Sequence, residues 1–315
     1  MKIRIDRKGN ILEENIKVQL ERIVGEKNIR ENEEMKYHTT FRIGGVADYF
    51  VMPETKEQIK AVLLLCRENE IPYYIIGNGS NLLVGDKGFR GVIIQIDKTF
   101  DEIIFIDETT VKAQAGVMLS KLASKIAEKS LTGFEFAGGI PGTLGGAVYM
   151  NAGAYGGEIK DCIVSALVID EKNEIRTLTK EELELSYRSS VIQKKEYVVL
   201  EAVFSFEKGE KDAILAKMAQ FNESRREKQP LNYPSAGSTF KRPEGYFAGK
   251  LIMDAGLSGY QVGGAMVSKK HCGFVINTGN ATANDVQTLM KNVDEIVYEK
   301  FGVHLEPEVR FVGEF

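Results

Sequence analysis

Two glycine-rich segments give the first indication of chemistry in this sequence. In the first, the turn Gly77-Asn78-Gly79-Ser80-Asn81 directly follows residues 73–76, a short apolar run typical of a strand. This turn is rich in residues that tolerate positive φ, and such turns can direct successive backbone N–H groups into one concavity. The segment is therefore a candidate phosphate or pyrophosphate site, although a turn of this composition is more often an ordinary loop.

The second segment, residues 133–157, contains nine glycines, where average usage predicts about two. Each glycine in an ordered element costs roughly 0.5–1 kcal/mol relative to alanine, so turns alone explain this density poorly. Small side chains would instead let the backbone approach a flat ligand closely. Neither segment contains GxxxxGK[ST] or GxGxxG, which disfavours a P-loop and a Rossmann-type NAD dehydrogenase.

Apolar periodicity predicts the elements that would position these segments. A peripheral helix is expected within residues 1–35, and further helices are predicted at 55–68, 117–130, 211–227 and 282–301. Strands are predicted at 46–52, 73–76, 91–96, 103–106, 110–115, 163–169, 197–206 and 308–312. This mixture of helices and short strands indicates an α+β protein. No repeat or long linker occurs, so the domains are expected to pack closely, with boundaries near 205–230.

Length and composition limit the class of protein. A chain of 315 residues is long for one hydrophobic core, which predicts two or three domains. The net charge of -4 provides no basic field for nucleic acid or an anionic membrane. The charged N-terminus has no apolar segment typical of a secretory signal, and no apolar run is long enough to span a bilayer. A cytoplasmic protein is expected.

The cysteine content argues against a disulfide framework and a zinc site. The three cysteines form no CxxC pair and are far apart in the sequence, as in proteins of a reducing cytosol. The three histidines, His38, His271 and His304, also form no metal-binding pattern. No metal is therefore expected.

Seven motifs, taken in order, resemble those of the UDP-N-acetylenolpyruvoylglucosamine reductase family. They are HTTFRIGG at 38–45, IGNGSNLL at 76–83, GGIPGTLGGA at 138–147, NAGAYG at 151–156, YRSS at 187–190, AGSTFKRP at 236–243 and LEPEVR at 305–310. The resemblance extends over nearly all of residues 37–312. The short region between 187 and 238 is similar to the compact variant of the family, which lacks an inserted tyrosine loop.

The resemblance implies a vanillyl-alcohol-oxidase-type (PCMH-like) FAD-binding fold in two subdomains, followed by a C-terminal α+β domain that binds substrate. The expected divisions are 1–72 for the first subdomain with the N-terminal helix, 73–210 for the second and 211–315 for the C-terminal domain. FAD would be non-covalent, because no Cys or His is placed as in relatives with covalent flavin. The residues that the resemblance places against FAD are Arg42, Gly77, Asn78, Gly79, Ser80, Asn81, Leu82, Gly138, Gly139, Pro141, Gly142, Gly145, Gly146, Ala147, Asn151, Gly153 and Ala154. His38 is expected to orient the first of these motifs.

The family's reaction, in peptidoglycan precursor synthesis, is the NADPH-dependent reduction of UDP-N-acetyl-3-O-(1-carboxyvinyl)-glucosamine to UDP-N-acetylmuramate. Hydride passes from flavin N5 to the terminal enolpyruvyl carbon, and negative charge develops on the neighbouring carbon and its carboxylate. Such a site needs a cation, a second polar group and a proton donor. By resemblance, Arg188 stabilises the intermediate and Ser238 gives the proton. Glu308 is the acidic member, most useful when protonated.

Basic residues at the end of a predicted helix are candidates for the substrate and NADPH, which share one site in turn in this family. Arg225 and Lys228 could both reach a diphosphate from one helix face, although cations at a helix C-terminus also interact favourably with the helix dipole. The other substrate candidates are Tyr187, Asn232 and Lys241. A monomer is expected.

Two other functions fit part of the sequence. A sugar or lactone oxidase of the same flavin fold would use O₂ as acceptor, and the AGSTFKRP and LEPEVR motifs argue against it. A catalytically silent nucleotide-binding protein would keep only the glycine loops.

Outside these motifs, Ser238 would be a turn residue, Arg188 a solvated surface residue and Glu308 an exposed strand carboxylate. Glu306 would lie on the same strand face as Glu308, so the motif alone selects between them.

Overall fold

A computed structural model describes residues 15–315 in full and, before them, only the backbone of Arg4–Ile5 and Ile11–Leu12. Over these residues the helices are α1 (Ile16–Val24), α2 (Lys56–Glu68), α3 (Leu119–Glu128), α4 (Leu144–Tyr149), α5 (Ile159–Cys162), α6 (Val191–Lys194), α7 (Lys211–Lys228), α8 (Ala248–Asp254) and α9 (Ala283–Phe301). The first strands are β1 (Arg4–Ile5), β2 (Ile11–Leu12), β3 (Ile29–Glu34), β4 (Val46–Val51), β5 (Tyr73–Ile76), β6 (Leu82–Val84), β7 (Phe89–Gln95), β8 (Ile103–Phe105), β9 (Thr110–Gln114) and β10 (Leu131–Thr132). They are followed by β11 (Gly153–Ala154), β12 (Gly157–Glu158), β13 (Ile163–Ile169), β14 (Ile175–Thr179), β15 (Val198–Ser205), β16 (Glu207–Lys208), β17 (Gln261–Val262), β18 (Ala265–Val267), β19 (Val275–Asn277) and β20 (Arg310–Val312). The predicted α+β class is confirmed.

The first sheet has the strand order β3-β4-β7-β5. Strands β4 and β5 both pair with β7 in parallel, so α2 forms the crossover that parallel strands require. Thr55 caps α2 by accepting a hydrogen bond from the Gln58 N–H, and the helix buries Ile59, Val62 and Leu63. Because β5 and β7 belong to the same sheet as β4, the expected boundary at 72/73 divides that sheet. The pairing favours a first subdomain that extends to the end of β7.

The second sheet is antiparallel, with the order β14-β13-β15-β9-β8. Its buried face packs with α3 and α4 in the largest hydrophobic cluster. Helix α7 buries Ile214, and its Met218 and Phe221 pack against this cluster. This helix was expected to open the C-terminal domain, but its apolar contacts attach it to the second subdomain.

The C-terminal domain contains α8, α9 and the three-stranded sheet β17-β18-β19. A separate hydrophobic cluster joins these elements, and Asp86, from the first subdomain, accepts hydrogen bonds from the Ala283 and Asn284 N–H groups at 2.8 and 3.0 Å at the start of α9. The closing strand β20 pairs in parallel with β6, with Arg310 opposite Leu82. The chain thus returns to the first subdomain, directly beside the first glycine turn.

All three cysteines, Cys66, Cys162 and Cys272, are free and buried. Burial raises the pKa of the Cys66 and Cys162 thiols to about 12, so both are protonated at neutral pH. Among the described residues, no helix combines the length and the apolar character that crossing a bilayer would need.

Candidate active site

A cavity of about 500 Å³ lies between β5 with the turn that follows it and the loop that enters α4. Its volume is within the range of pockets that hold cofactors. The two glycine-rich segments, which are just over fifty residues apart in the sequence, both line this cavity. The residues expected to contact FAD that line it are Gly77, Asn78, Gly79, Ser80, Asn81, Leu82, Gly142, Gly145, Gly146 and Ala147.

Close contacts between loops explain why the first turn requires glycine. At Gly77, a Cβ atom would collide with the Thr143 side chain, and at Gly79 it would collide with the backbone carbonyl of His38. Gly79 also has φ +60°, which favours glycine. The Asn78 Nδ2 donates to the Pro141 carbonyl at 2.7 Å. The two glycine segments are therefore fixed against each other.

The first turn has hydrogen-bonding capacity available for a ligand. Among the described residues, none accepts a hydrogen bond from the backbone N–H of Asn78, Gly79 or Ser80. These groups lie in a turn that lines the cavity, and consecutive N–H groups in such a turn form an anion-binding concavity. The donor set and the apolar remainder of the cavity fit a cofactor that has a diphosphate and a flat ring system.

Seven of the expected FAD residues lie outside the lining of this cavity: Arg42, Gly138, Gly139, Pro141, Asn151, Gly153 and Ala154. Arg42 is exposed. A Cβ atom at Gly138 would contact the Met218 side chain, and at Gly139 it would collide with the Arg225 side chain. These two glycines therefore allow α7 to pack against the second glycine segment.

Asn151 has a supporting position instead of a place in the cavity wall. It is buried, its Nδ2 donates to Glu158 Oε2 at 2.6 Å and to the Ser186 carbonyl at 3.1 Å, and its Oδ1 accepts from the Lys160 N–H at 2.9 Å. The contact with Ser186 fixes one end of the turn that carries Arg188.

Arg188 is at the tip of a tight turn closed by two hydrogen bonds of 3.1 Å between Ser186 and Ser189. Its φ is +54°, a left-handed conformation that costs a non-glycine residue about 1–2 kcal/mol. The turn directs the guanidinium to Glu308, and Nε donates to Oε1 at 2.8 Å. Its Cζ is also 5.2 Å from the centre of the Tyr187 ring. A strained backbone at such a position is typical of functional sites.

Glu308 is buried, with only 9% of its side chain exposed. Burial raises the pKa of its carboxyl, although the adjacent Arg188 guanidinium acts in the opposite direction. The two effects leave a carboxyl that keeps its proton to a higher pH than an exposed glutamate does. The Glu308 carbonyl accepts a hydrogen bond from Asn81 Nδ2 at 3.1 Å, which links the carboxyl-bearing segment to the first glycine turn.

Ser238 is exposed and follows Gly237, which has φ +75°. The next residue, Thr239, accepts a hydrogen bond from the Glu308 N–H through its carbonyl, at 2.9 Å. Ser238 and Glu308 are therefore on adjacent backbone segments, and Glu308 contacts Arg188 directly. The three residues expected to do the chemistry thus lie on neighbouring segments from three separate parts of the sequence, and the segment of Glu308 bonds to Asn81, which lines the cofactor cavity.

The closing strand is shorter than predicted, and this distinguishes its two glutamates. Strand β20 begins at Arg310, so Glu306 and Glu308 both precede it. Glu306 is 70% exposed and forms an ion pair with Lys241, whereas Glu308 is buried. The expectation that both would lie on one strand face is wrong, because residues 306–308 are bonded to the loop 239–241 instead of a sheet.

The substrate candidates occupy two regions. Tyr187 is next to Arg188 in the sequence, and Lys241 is three residues after Ser238. The Tyr187 hydroxyl accepts a hydrogen bond from the Arg242 N–H at 3.1 Å, which joins these two segments. Arg225 lies against Gly139, and its buried Nε has no hydrogen-bond partner among the described residues. Burial lowers the pKa of the Arg225 guanidinium, which remains charged. The remaining candidates, Lys228 and Asn232, are exposed.

Sequence reasoning missed several residues of the cavity, of which Arg310 and Tyr74 are the most informative. Arg310 brings a cation to the cavity wall, and its N–H donates to the Asn81 carbonyl at 2.9 Å. Burial raises the pKa of Tyr74 to about 12, so its hydroxyl can donate a hydrogen bond at neutral pH. The LEPEVR motif contains Arg310 and could have indicated it as a site residue. Tyr74 lies in a short apolar run that predicts only a strand, so the sequence carries no signal for its place in the cavity.

We expect Gly79→Ala to weaken FAD binding by at least about tenfold, because the added Cβ collides with the His38 carbonyl and displaces the turn. The matched control is Gly302→Ala. Gly302 has a similar φ of +68° but no atom within 4 Å of an added Cβ. The dissociation constant for FAD, measured by flavin fluorescence on the deflavinated protein, should rise in the first variant only. Equal affinity in both variants would contradict the assigned position of this turn.

The fold and the glycine-lined cavity define an FAD-binding oxidoreductase. Residues 47–179 match a family model described as an FAD binding domain, and residues 229–312 match the model of the UDP-N-acetylenolpyruvoylglucosamine reductase C-terminal domain. The UDP-N-acetylenolpyruvoylglucosamine reductase of Lachnoclostridium phytofermentans is 60% identical over 301 residues, which is 94% of this chain and 96% of the relative. That of Caldanaerobacter subterraneus subsp. tengcongensis is 51% identical over 295 residues, 94% of this chain and 97% of the relative.

A solved structure agrees with this assignment. The crystal structure of the Thermus caldophilus enzyme of the same name matches with a TM-score of 0.77 and 35% identity, covering 90% of this chain and 99% of the other. The chain therefore belongs to the UDP-N-acetylenolpyruvoylglucosamine reductase family. The expected PCMH-like flavin fold, the FAD cofactor and the assignment to the oxidoreductases of peptidoglycan synthesis are confirmed.

Proposed function

We propose that this enzyme uses NADPH to reduce UDP-N-acetyl-3-O-(1-carboxyvinyl)-glucosamine to UDP-N-acetylmuramate. The observation that carries the proposal is the contact between Arg188 and the buried Glu308, on a segment bonded both to the Ser238 loop and to the first glycine turn. Arg188 would provide a cation, Glu308 a carboxyl group and Ser238 a hydroxyl group beside the cofactor cavity. The reduction of a vinyl ether that carries a carboxylate requires these three groups.

The two glycine-rich segments would hold FAD, which after reduction by NADPH would supply the hydride for the terminal enolpyruvyl carbon. The protein must then stabilise the negative charge that develops on the neighbouring carbon and its carboxylate. Arg188 is suited to this role because a guanidinium stays charged and can donate two parallel hydrogen bonds to a carboxylate. Its present bond to Glu308 uses only Nε, so the two terminal nitrogens can donate to substrate.

Ser238 would deliver the proton that completes the reduction. A serine hydroxyl is a weak acid, but the carbon that has received charge is a strong base, so a correctly placed hydroxyl can protonate it. The O–H bond breaks as the new C–H bond forms, and the serine oxygen then recovers a proton from water, which reaches this exposed position.

Glu308 would act as the second hydrogen-bond donor to the substrate carboxylate. Only the protonated carboxyl can donate in this way, and an ionised carboxylate beside a substrate carboxylate would be repulsive. Burial, which raises the pKa of Glu308, supports the protonated form. The same burial strengthens the electrostatic interactions of the pair with a bound anion.

The nucleotide parts of the substrate and of NADPH would bind in turn along Tyr187, Arg225, Lys228, Asn232 and Lys241. Arg225 is the strongest of these candidates, because its buried Nε has no protein acceptor among the described residues. A buried guanidinium donor without a partner is unfavourable, and a diphosphate oxygen would satisfy it.

A visible spectrum tests the reaction. The purified enzyme should be yellow, NADPH should bleach it without oxygen, and the enolpyruvyl substrate should restore the colour with formation of one equivalent of the saturated lactyl ether. A flavin that is reoxidised rapidly by O₂ and not by this substrate would instead indicate an oxidase. A colourless protein that binds nucleotide but cannot take up FAD would indicate a protein without this activity.

We expect Arg225→Ala to weaken the binding of substrate and NADPH by about tenfold or more, because a charge-assisted hydrogen bond contributes about 1.5–3 kcal/mol. The control is Arg226→Ala, on the exposed side of the same helix. Dissociation constants measured at several salt concentrations should show a smaller salt dependence in Arg225→Ala than in the unmodified enzyme. A loss of affinity with unchanged salt dependence would contradict a role at the diphosphate.

A further inference from the structure

Thr239 occupies a central position in the hydrogen-bond network around the catalytic candidates. Its side chain is 1% exposed, and each of its three polar groups bonds to another segment. The N–H donates to the Gly273 carbonyl and the carbonyl accepts from the Glu308 N–H, both at 2.9 Å. The hydroxyl Oγ1 accepts from the Val275 N–H at 2.8 Å. Thr239 is thus the residue through which three segments of the C-terminal domain are joined.

The partners of Thr239 are themselves fixed. Val275 begins β19 and pairs with Val267 of β18. The Gly273 N–H donates to His271 Nδ1 at 3.1 Å. On the other side, Phe240 forms a β-bridge with Pro307, which aligns the loop after Ser238 with the segment before Glu308. These bonds connect a rigid sheet to Thr239, and through Thr239 to both catalytic candidates.

We propose that Thr239 is a positioning residue for the proton-transfer step, holding the Ser238 hydroxyl and the Glu308 carboxyl in a fixed relative position. The inference rests on the roles proposed above for Ser238 and Glu308. Two of the three contacts of Thr239 use backbone atoms and would be available to any residue. The bond to the Val275 N–H requires the side-chain oxygen, so the identity of this residue matters at that contact.

The effect on the reaction follows from the sensitivity of catalysis to small displacements. Thr239→Val keeps the shape of the side chain but leaves the buried Val275 N–H without its acceptor, so the 238–240 loop must shift or admit water. A displacement of about 1 Å at a reacting group can cost about 10²-fold in rate. The NADPH half-reaction does not use Ser238 and should not respond.

The test compares Thr239→Val, Thr239→Ser and the control Thr282→Val in the FAD-loaded enzyme by stopped-flow absorbance. Thr282 is also in the C-terminal domain, and its side chain accepts a backbone N–H bond from Asp285 at 3.0 Å. We expect Thr239→Val to slow flavin reoxidation by substrate about 10- to 10²-fold, with little change in substrate affinity or in reduction by NADPH. Thr239→Ser, which keeps the acceptor, should restore most of the rate, and the solvent deuterium isotope effect should be larger in Thr239→Val.

A merely structural role would give a different result. Thr239→Val would then resemble Thr282→Val, with both half-reactions changed equally or unchanged, and this outcome would overturn the inference. If Thr239→Val does not fold, Thr239→Cys replaces it, since a thiol is a weak acceptor and should give an intermediate rate.

Ser238→Ala separates this inference from the proposed function. If that variant is slow while Thr239→Val is normal, only the positioning role is wrong, whereas normal turnover of Ser238→Ala would contradict the proton donor itself.

Discussion

Replacing Ser238 with alanine should slow the reduction of the enolpyruvyl substrate by about 10²–10⁴-fold, the usual contribution of a positioned proton donor. Ser238 precedes Thr239, whose carbonyl accepts the hydrogen bond from the Glu308 N–H, so the hydroxyl is carried by the segment next to Glu308. Reduction of the flavin by NADPH transfers no proton to a substrate carbon, so this half-reaction should proceed at nearly the normal rate. The loss should appear in kcat, because Ser238 would act in the transition state and contribute little to substrate binding.

Rapid-mixing experiments can separate these two steps. Flavin absorbance is followed first on mixing with NADPH and then, on the reduced enzyme, after mixing with substrate. Ser235→Ala is the matched control, since Ser235 lies in the same loop and its known contact is made by its backbone carbonyl, which accepts from Thr40 Oγ1 at 2.7 Å. A normal rate of reoxidation in Ser238→Ala would show that another group delivers the proton.

Local sequence patterns were sufficient for several of the regular elements. Residues 55–68 have apolar side chains at helical spacing after a threonine that can cap a helix, and α2 begins one residue after Thr55. Strand β5 and the glycine turn after it were predicted for the same reason, because both depend on residues close together in the chain. Such elements need no knowledge of distant contacts.

Contacts between distant segments could not be predicted from these patterns. The apolar pattern predicted one strand at residues 308–312. In the structure, residues 306–308 pair with the loop 239–241, and the strand begins only at Arg310. Glu308 is buried beside Arg188, whereas Glu306 is exposed beside Lys241. The apolar residues of helix α7 likewise indicate that one face is buried but not that this face packs against the second subdomain.

The catalytic candidates illustrate the same division. Motif resemblance selected Arg188, Ser238 and Glu308, but no local pattern indicated that they meet. Arg188 reaches Glu308 from a turn with positive φ that Asn151 supports, and Ser238 reaches it through Thr239. Asn151 was expected to contact FAD because it lies in a flavin motif. In the structure it supports the turn that presents Arg188, which accounts for an asparagine at that position.

Glu308→Gln should lower the rate of enolpyruvyl reduction about 10-fold, and Glu308→Ala about 10²–10³-fold, the usual effect of removing one donor to a developing oxyanion. Glutamine keeps a donor for the substrate carboxylate and an acceptor for Arg188 Nε. Alanine removes both and leaves the half-buried guanidinium without its partner. Glu306→Gln is the matched control, because Glu306 is exposed and should have almost no effect.

The pH dependence provides a stronger test of the role of Glu308. Burial raises the pKa of its carboxyl in the folded protein, so the protonated form is fully present at low pH and is lost as the pH rises through the folded-state pKa. Enolpyruvyl reduction by the unmodified enzyme should therefore decline over that range, and Glu308→Gln, which cannot ionise, should lack this decline.

Folding stability should change with the same sign. The carboxyl stabilises the folded state below its unfolded pKa, and this stabilisation is lost as the pH rises through the folded value. Parallel pH profiles for Glu308→Gln and the unmodified enzyme would mean that Glu308 acts as a carboxylate and not as a donor.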